Sequence, residues 1–164
     1  MPPIKAIALD FDGVLTDGSF WWGADGAEWK RLSFSDVMGV SLARKAGLLV
    51  TIISGEDSPL VDRFAAKMNL PDITKGCKDK AGALAAFARR QNLTPTEICF
   101  MGDDVNDLAA MELAGLAVAP ADAHPAALRK AGLVTAARGG NGAVRELVDL
   151  ILAGEIPLRC QKRA

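Results

Sequence analysis

The sequence predicts an α/β fold, a doubly wound and mainly parallel sheet. Three observations point there. Short apolar runs of strand type alternate with helix-type segments along the whole chain. The runs Ile4–Leu9, Leu48–Ile53 and Ile98–Met101 are almost wholly apolar, as strands buried on both faces are. Small, polar or acidic residues follow those runs directly, at the carboxyl ends where open α/β sheets bind ligands.

The elements follow in order. After the first strand, Ser19–Gly23 and Ala27–Leu32 flank Ala24-Asp25-Gly26, which reads as a β-hairpin over about residues 18–32. Phe20, Trp21, Trp22 and Trp29 place four of the chain's nine aromatics there. A two-stranded ribbon needs a partner surface. These aromatics either fold back on their own domain or build a subunit interface. Ser35-Asp36 can cap a helix running to Ala46, closed by Gly47. The second strand ends in Ser54-Gly55-Glu56, and Ser58-Pro59 starts a helix carrying Arg63 and Lys67 on one face. Asp72–Lys75 reads as a short strand, and the next helix runs from near Lys80 to Gln91. After Ile98–Met101 come a helix to Ala114, a strand Leu116–Val118, a helix Ala126–Ala131 and a strand Leu133–Thr135. Gly139-Gly140-Asn141-Gly142 reads as a flexible loop, and Val144–Ala153 as a closing helix. One domain over 1–154 is expected, followed by a basic tail over 155–164.

Composition excludes several classes. Of 164 residues 50% are hydrophobic and 24% charged, the balance of an ordinary globular domain. A net charge of −1 gives no field for nucleic acid. No apolar run is long enough to span a membrane and no signal-type segment is seen, so a cytoplasmic location is expected. Cys77, Cys99 and Cys160 fit neither a disulfide framework nor a zinc site. His124, the only histidine, sits before Pro125 as a capping or surface residue.

The chemistry lies in the strand-end turns. Asp10 and Asp12 flank Phe11 after the first strand, with Gly13 letting the chain turn close to a ligand. One carboxylate can attack phosphorus while the other protonates the leaving oxygen. Two carboxylates beside a phosphate repel, which calls for a divalent cation. Ser54 and Gly55 can offer a hydroxyl and an amide to a phosphate oxygen, or can be a plain turn. Lys80 in a first helical turn opposes the helix dipole unless an anion lies nearby. Asp103, Asp104 and Asp107 crowd the end of the Ile98–Met101 strand, a costly cluster unless a hard cation such as Mg²⁺ neutralises it.

Asp10-Phe-Asp-Gly-Val, Ser54-Gly, Lys80 and Gly102-Asp-Asp-x-x-Asp107, in that order, resemble the haloacid dehalogenase superfamily of aspartate-nucleophile phosphatases. The resemblance implies a Rossmann-like core. It makes Asp10 the nucleophile, Asp12 the general acid/base, Ser54 the phosphoryl holder and Lys80 the cation beside the phosphoaspartate. It implies Mg²⁺ held by Asp10, the Asp12 carbonyl and Asp103. Asp107 and Asp104 would stand behind those ligands, and Asn106 near the substrate. The intervals from Asp12 to Ser54 and from Ser54 to Lys80 leave no room for a cap domain.

A closer likeness covers nearly the whole chain. Asp17-Gly-Ser-Phe-Trp-Trp-Gly-Ala-Asp-Gly-Ala-Glu-Trp-Lys, Phe34-Ser-Asp, Ala119-Pro-Ala-Asp-Ala-His-Pro and Gly139-Gly-Asn-Gly-Ala-Val-Arg-Glu look like the capless phosphatases of 3-deoxy-2-keto sugar acids. That group implies a homotetramer built through the hairpins and a phosphorylated sugar-acid substrate. Glu56 with Lys67 resembles members acting on nine-carbon nonulosonate 9-phosphates, the favoured reading. Octulosonate 8-phosphate phosphatases tend to have Arg at the position of Glu56 and are the alternative. Phe64 stands where an Arg is expected to hold the sugar carboxylate, and Ser33 lies near the expected substrate face. A second alternative is a tetramerising scaffold partnered with a cytidylyltransferase.

Overall fold

The computed structural model describes residues 3–156. Five strands form one parallel sheet: β1 (Ala6–Leu9), β4 (Leu49–Ile52), β5 (Ile98–Met101), β6 (Leu116–Ala119) and β7 (Leu133–Val134). Their order is β4-β1-β5-β6-β7. The chain leaves β1 for one side, then crosses back to the other, so the switch point lies between β1 and β5. Crossovers on opposite faces diverge there and open a crevice. Pairing sets Leu9 level with Met101, so the two following turns emerge side by side.

Strand periodicity divides the interior in two. Ile7, Leu9, Val50, Ile52, Cys99, Met101, Leu116 and Val118 face one core. Ala6, Ala8, Ile98, Phe100, Ala117 and Ala119 face the other. Helices α1 (Phe34–Lys45), α2 (Pro59–Met68) and α6 (Ala143–Ala153) cover the first face through Val40, Phe64, Val144 and Leu147. Helices α3 (Lys80–Arg90), α4 (Leu108–Leu113) and α5 (Pro125–Lys130) cover the second through Leu84, Phe87, Met111 and Ala127. The predicted doubly wound sheet is what forms, and among the described residues no separate cap domain is inserted. No helix among them is long and apolar enough to cross a membrane. The basic tail lies outside the described residues from 157 onward.

Several elements differ from the sequence reading. The hairpin ladder shortens to β2 (Trp21–Trp22) and β3 (Glu28–Trp29), with a bridge from Thr16 to Leu32 at its base. Its aromatics do not fold back: Phe20, Trp21, Trp22 and Trp29 stay exposed. Residues 72–75 make only one bridge, Ile53 to Thr74, while the Asp72 carboxylate accepts from Arg90 and Gln91. His124 caps α5, its Nδ1 accepting from the Ala126 amide. The loop 139–142 is packed rather than loose. The Gly139 amide donates to Asp122 and the Gly140 amide to the Val14 carbonyl. A side chain at Gly139 would strike the Gly13 carbonyl, so the glycines let this loop buttress the turn after β1.

Helix α1 starts one residue before Ser35, capped by Ser33, whose Oγ accepts from the Ser35 amide at 3.1 Å. Asp36 is thereby freed for a distant task. Its buried carboxylate accepts from the Gly142 amide at 2.9 Å and the Arg145 amide at 3.1 Å. It caps α6, whose own N-cap is the side-chain-less Gly142. Burial raises its pKa and the amides oppose that rise. Asp36→Ala leaves these amides unpaired and should cost about 2 kcal/mol of unfolding free energy. A urea titration reads this directly; a loss below about 0.5 kcal/mol would show that α6 needs no such cap.

Candidate active site

Asp10 leaves the end of β1 and is almost fully buried. Lys80, in the first turn of α3, reaches it from behind: Nζ stands 2.9 Å from Asp10 Oδ1 and 2.6 Å from Asp107 Oδ1. The helix start is held by Asp79, whose Oδ1 accepts from the Gly82 amide. Asp107 uses its second oxygen to accept the Asp103 and Asp104 amides, at 2.9 and 3.1 Å. One carboxylate thus folds the acidic turn after β5 and also orients Lys80. Gly102 permits it, since a Cβ there would lie 2.5 Å from Asp107 Cβ. Gly13, at φ +83°, lets the turn after β1 press against the Asp103 carboxylate.

Carboxylate oxygens of Asp10, Asp103 and Asp107 all lie within 4.8 Å of one another. The two carboxylates that the sequence names as ligands, Asp10 and Asp103, both lie in this cluster. Asp107 joins the cluster, yet both of its oxygens are already engaged by Lys80 and by amides. The Asp103 carboxylate accepts no hydrogen bond among the described residues and is the one free to receive an ion. Three carboxylates against one ammonium leave two negative charges, which a divalent cation would cancel. The acids register the same imbalance. Burial, then Asp10, Asp107 and Asp104, push the Asp103 pKa up to about 8. Burial, then Asp107, push Asp10 up to about 6 against the opposing pull of Lys80. Burial alone would lower the Lys80 pKa, but Asp10 and Asp107 outweigh it and hold it above the ordinary lysine value. The donor set, all hard oxygen, fits such a cation.

A cavity of about 300 Å³ opens over the cluster. Asp10, Asp12, Ser54, Gly55, Glu56, Asp103, Asp104 and Asn106 line it. The buried Ser54 Oγ accepts from the Glu56 amide at 3.1 Å, which leaves its hydroxyl proton for a ligand. Glu56 also lines a larger cavity of about 600 Å³ between the hairpin and the start of α2. Two expected substrate residues lie elsewhere. Ser33 caps α1, and Lys67 borders a separate apolar cavity beside Leu32 and Phe64. Phe64 is a core residue, its ring edge-on to Phe11 with centroids 5.9 Å apart. Lys30, from the hairpin, was not singled out in the sequence, yet its Nζ stands 2.8 Å from Asp12 Oδ2. Burial would lower its pKa, but Asp12 and Glu28 outweigh burial and raise it.

Comparison with known proteins agrees with this geometry. Residues 53–147 match the family model of the haloacid dehalogenase-like hydrolases. The chain belongs to that family, and with its aspartate cluster it is one of the phosphomonoesterases. Its near relatives are the 3-deoxy-D-manno-octulosonate 8-phosphate phosphatases. The one from Escherichia coli K12 is 36% identical over 152 residues, covering 93% of this chain and 81% of the relative. A crystal structure of the Moraxella catarrhalis phosphatase, in complex with a magnesium ion, a phosphate ion and a KDO molecule, superposes with TM-score 0.90. It is 32% identical and covers 93% of this chain and 87% of that one. The cobalt-bound Haemophilus influenzae phosphatase superposes with TM-score 0.89 at 32% identity, covering 93% and 89% of the two chains.

Asp10 and Asp103 both have pKa values above the ordinary 3.8. Their protonated forms therefore favour the folded state, and this contribution is full below about pH 4. It is lost as pH rises through about 6 for Asp10 and about 8 for Asp103. A bound cation displaces those protons and favours the ionised cluster. The rise in thermal midpoint caused by a fixed Mg²⁺ concentration should therefore grow between about pH 5 and about pH 8. Scanning calorimetry reads it; a rise that stays flat over that interval would remove the cluster as the binding place.

Proposed function

We propose that the protein hydrolyses the 8-phosphate ester of 3-deoxy-D-manno-octulosonate, with Mg²⁺, through an aspartyl phosphate on Asp10. The observation that carries this is Asp10 and Asp103 converging at adjoining strand ends with Lys80 buried against Asp10. The names of the relatives favour the eight-carbon ester over the nine-carbon one. Lys67, half of the nine-carbon argument, borders a different cavity from the one over Asp10.

Phosphate monoesters need roughly 20 kcal/mol or more of barrier reduction. Asp10 Oδ attacks phosphorus as the ester P–O bond breaks, and the Asp12 carboxyl gives its proton to the departing alkoxide. Asp12, now a carboxylate, takes a proton from the water that attacks the phosphoaspartate, which releases phosphate and Asp10. Ser54 Oγ and the Gly55 amide hold phosphoryl oxygens, and Lys80 offsets their charge. Asp10, Asp103 and the Asp12 carbonyl would hold Mg²⁺, which would supply positive charge to offset that of the phosphoryl group. Asp104 and Asp107 shape the turn behind it. Glu56 and Asn106 line the cavity where the sugar acid enters.

The exposed aromatic hairpin supports a homotetramer, because four large rings in water on one ribbon call for burial. We place the reaction in the cytoplasm, since a multiply charged ester does not cross a bilayer unaided. No feature of the site calls for nucleic acid or a membrane. The deciding experiment profiles purified protein with Mg²⁺ on the octulosonate 8-phosphate and nonulosonate 9-phosphate esters. A higher kcat/KM on the first, lost with EDTA, in a preparation that sediments as a tetramer is expected. A higher value on the second would restore the nine-carbon reading. A tetramer without metal-dependent turnover of either would favour the scaffold, and a monomer would remove the tetramer.

A further inference from the structure

The apolar surroundings of the Lys30 stem do not call for a lysine. Its side chain is only 6% exposed and borders an apolar cavity of about 210 Å³ with Phe11, Leu32, Leu60 and Phe64. A hydrocarbon side chain would pack there without the cost of burying an ammonium, and replacing buried ion pairs by apolar groups is often neutral or stabilising. What the ammonium does instead is reach Asp12 Oδ2 at 2.8 Å. Asp12 Oδ1 accepts from Thr16 Oγ1 at 3.3 Å, so both carboxyl oxygens are held. Lys30 is itself held. Glu28 Oε1 stands 3.4 Å away, and the Phe11 ring centroid lies 6.0 Å from Nζ. Glu28 accepts in turn from Ser58 Oγ at 3.3 Å and from Trp22 Nε1 at 3.2 Å. A chain of polar contacts therefore runs from the hairpin and α2 to the residue after Phe11.

We propose that Lys30 is a positioning residue, which holds the Asp12 carboxyl at the cavity in the orientation that delivers a proton to the leaving oxygen of the ester. This rests on the role given to Asp12 in the proposed function. The Asp12 side chain is partly exposed and lines the cavity over Asp10, and about 1 Å of misplacement of a reacting group can cost about 100-fold in rate. Lys30 reaches the Asp12 carboxyl and Glu28, not the Asp10, Asp103 and Asp107 carboxylates. In kcat/KM, which ends at departure of the leaving group, its loss should be felt only where that group needs a proton.

The test compares two leaving groups on one enzyme. A sugar alkoxide must be protonated as it departs, whereas 4-nitrophenolate need not be. For Lys30→Met, kcat/KM on the octulosonate ester should fall by about 100-fold, and on 4-nitrophenyl phosphate by less than about 5-fold. The Mg²⁺ concentration for half-activation should not move. Lys30→Arg, which keeps a cation within reach of Asp12, should regain most of the lost rate. Equal losses on both substrates would show a merely structural role and overturn the proposal, as would no loss on either. If Lys30→Met does not fold, Lys30→Gln carries the same comparison with the same expected ratio. Failure of the function reading appears in the wild-type enzyme, as no turnover of the octulosonate ester. Failure of the Lys30 assignment appears only in the ratio between leaving groups, measured on whichever alkyl phosphate the wild type hydrolyses.

Discussion

The buried ammonium of Lys80 between Asp10 and Asp107 is the contact on which the site depends. A lysine almost without solvent stays charged only while carboxylates face it, and removing one partner of such a buried pair typically costs about 3–5 kcal/mol. The contact joins three segments far apart in the chain: the end of β1, the first turn of α3 and the turn after β5. Asp107 then reaches back to the Asp103 and Asp104 amides, so orienting the ammonium and folding the acidic turn are one act. With Asp103 beside that pair, one ammonium against three carboxylates leaves two negative charges unbalanced. That leftover charge is the physical basis for a cation at the site.

The sheet makes this contact possible. With β1 and β5 adjacent, parallel and in register, their following turns meet without any long loop. Glycines at 13 and 102 remove the side chains that would hold the turns apart, and the packed loop at 139–140 closes behind them. The hairpin has another role. It contributes little to either core, stands out with its aromatics exposed, and sends Lys30 inward to Asp12. One ribbon thus carries a surface that wants a partner and a side chain that touches the reactive carboxyl.

The strands and their terminal aspartates were legible because they are local. An apolar run names the strand, and the next residue names its end. Asp10, Ser54 and Asp103 follow from that rule, and Lys80 from its place against the dipole in the first turn of a helix. The features that escaped are those set by distant partners. Asp36 reads as a cap for its own helix but caps another more than a hundred residues on. Gly139–Gly142 reads as slack chain because composition cannot say that Gly13 and Val14 lie against it. Lys30 sits in a hairpin whose exposed pattern hides one inward-facing position, and only the fold reveals the partner eighteen residues back. Lys67 borders another cavity, because helical spacing gives the face of a residue but not the cavity which that face meets.

The central claim is that Asp10 carries the phosphoryl group while a cation lies between it and Asp103. Beryllium fluoride copies a phosphoryl group on an aspartate, so a crystal structure of the protein with Mg²⁺ and beryllium fluoride tests the claim most directly. The account predicts a tetrahedral adduct on Asp10, Lys80 still against it, and the cation held by Asp10 and Asp103. An adduct on Asp12, or a cation seated away from Asp103, would contradict it.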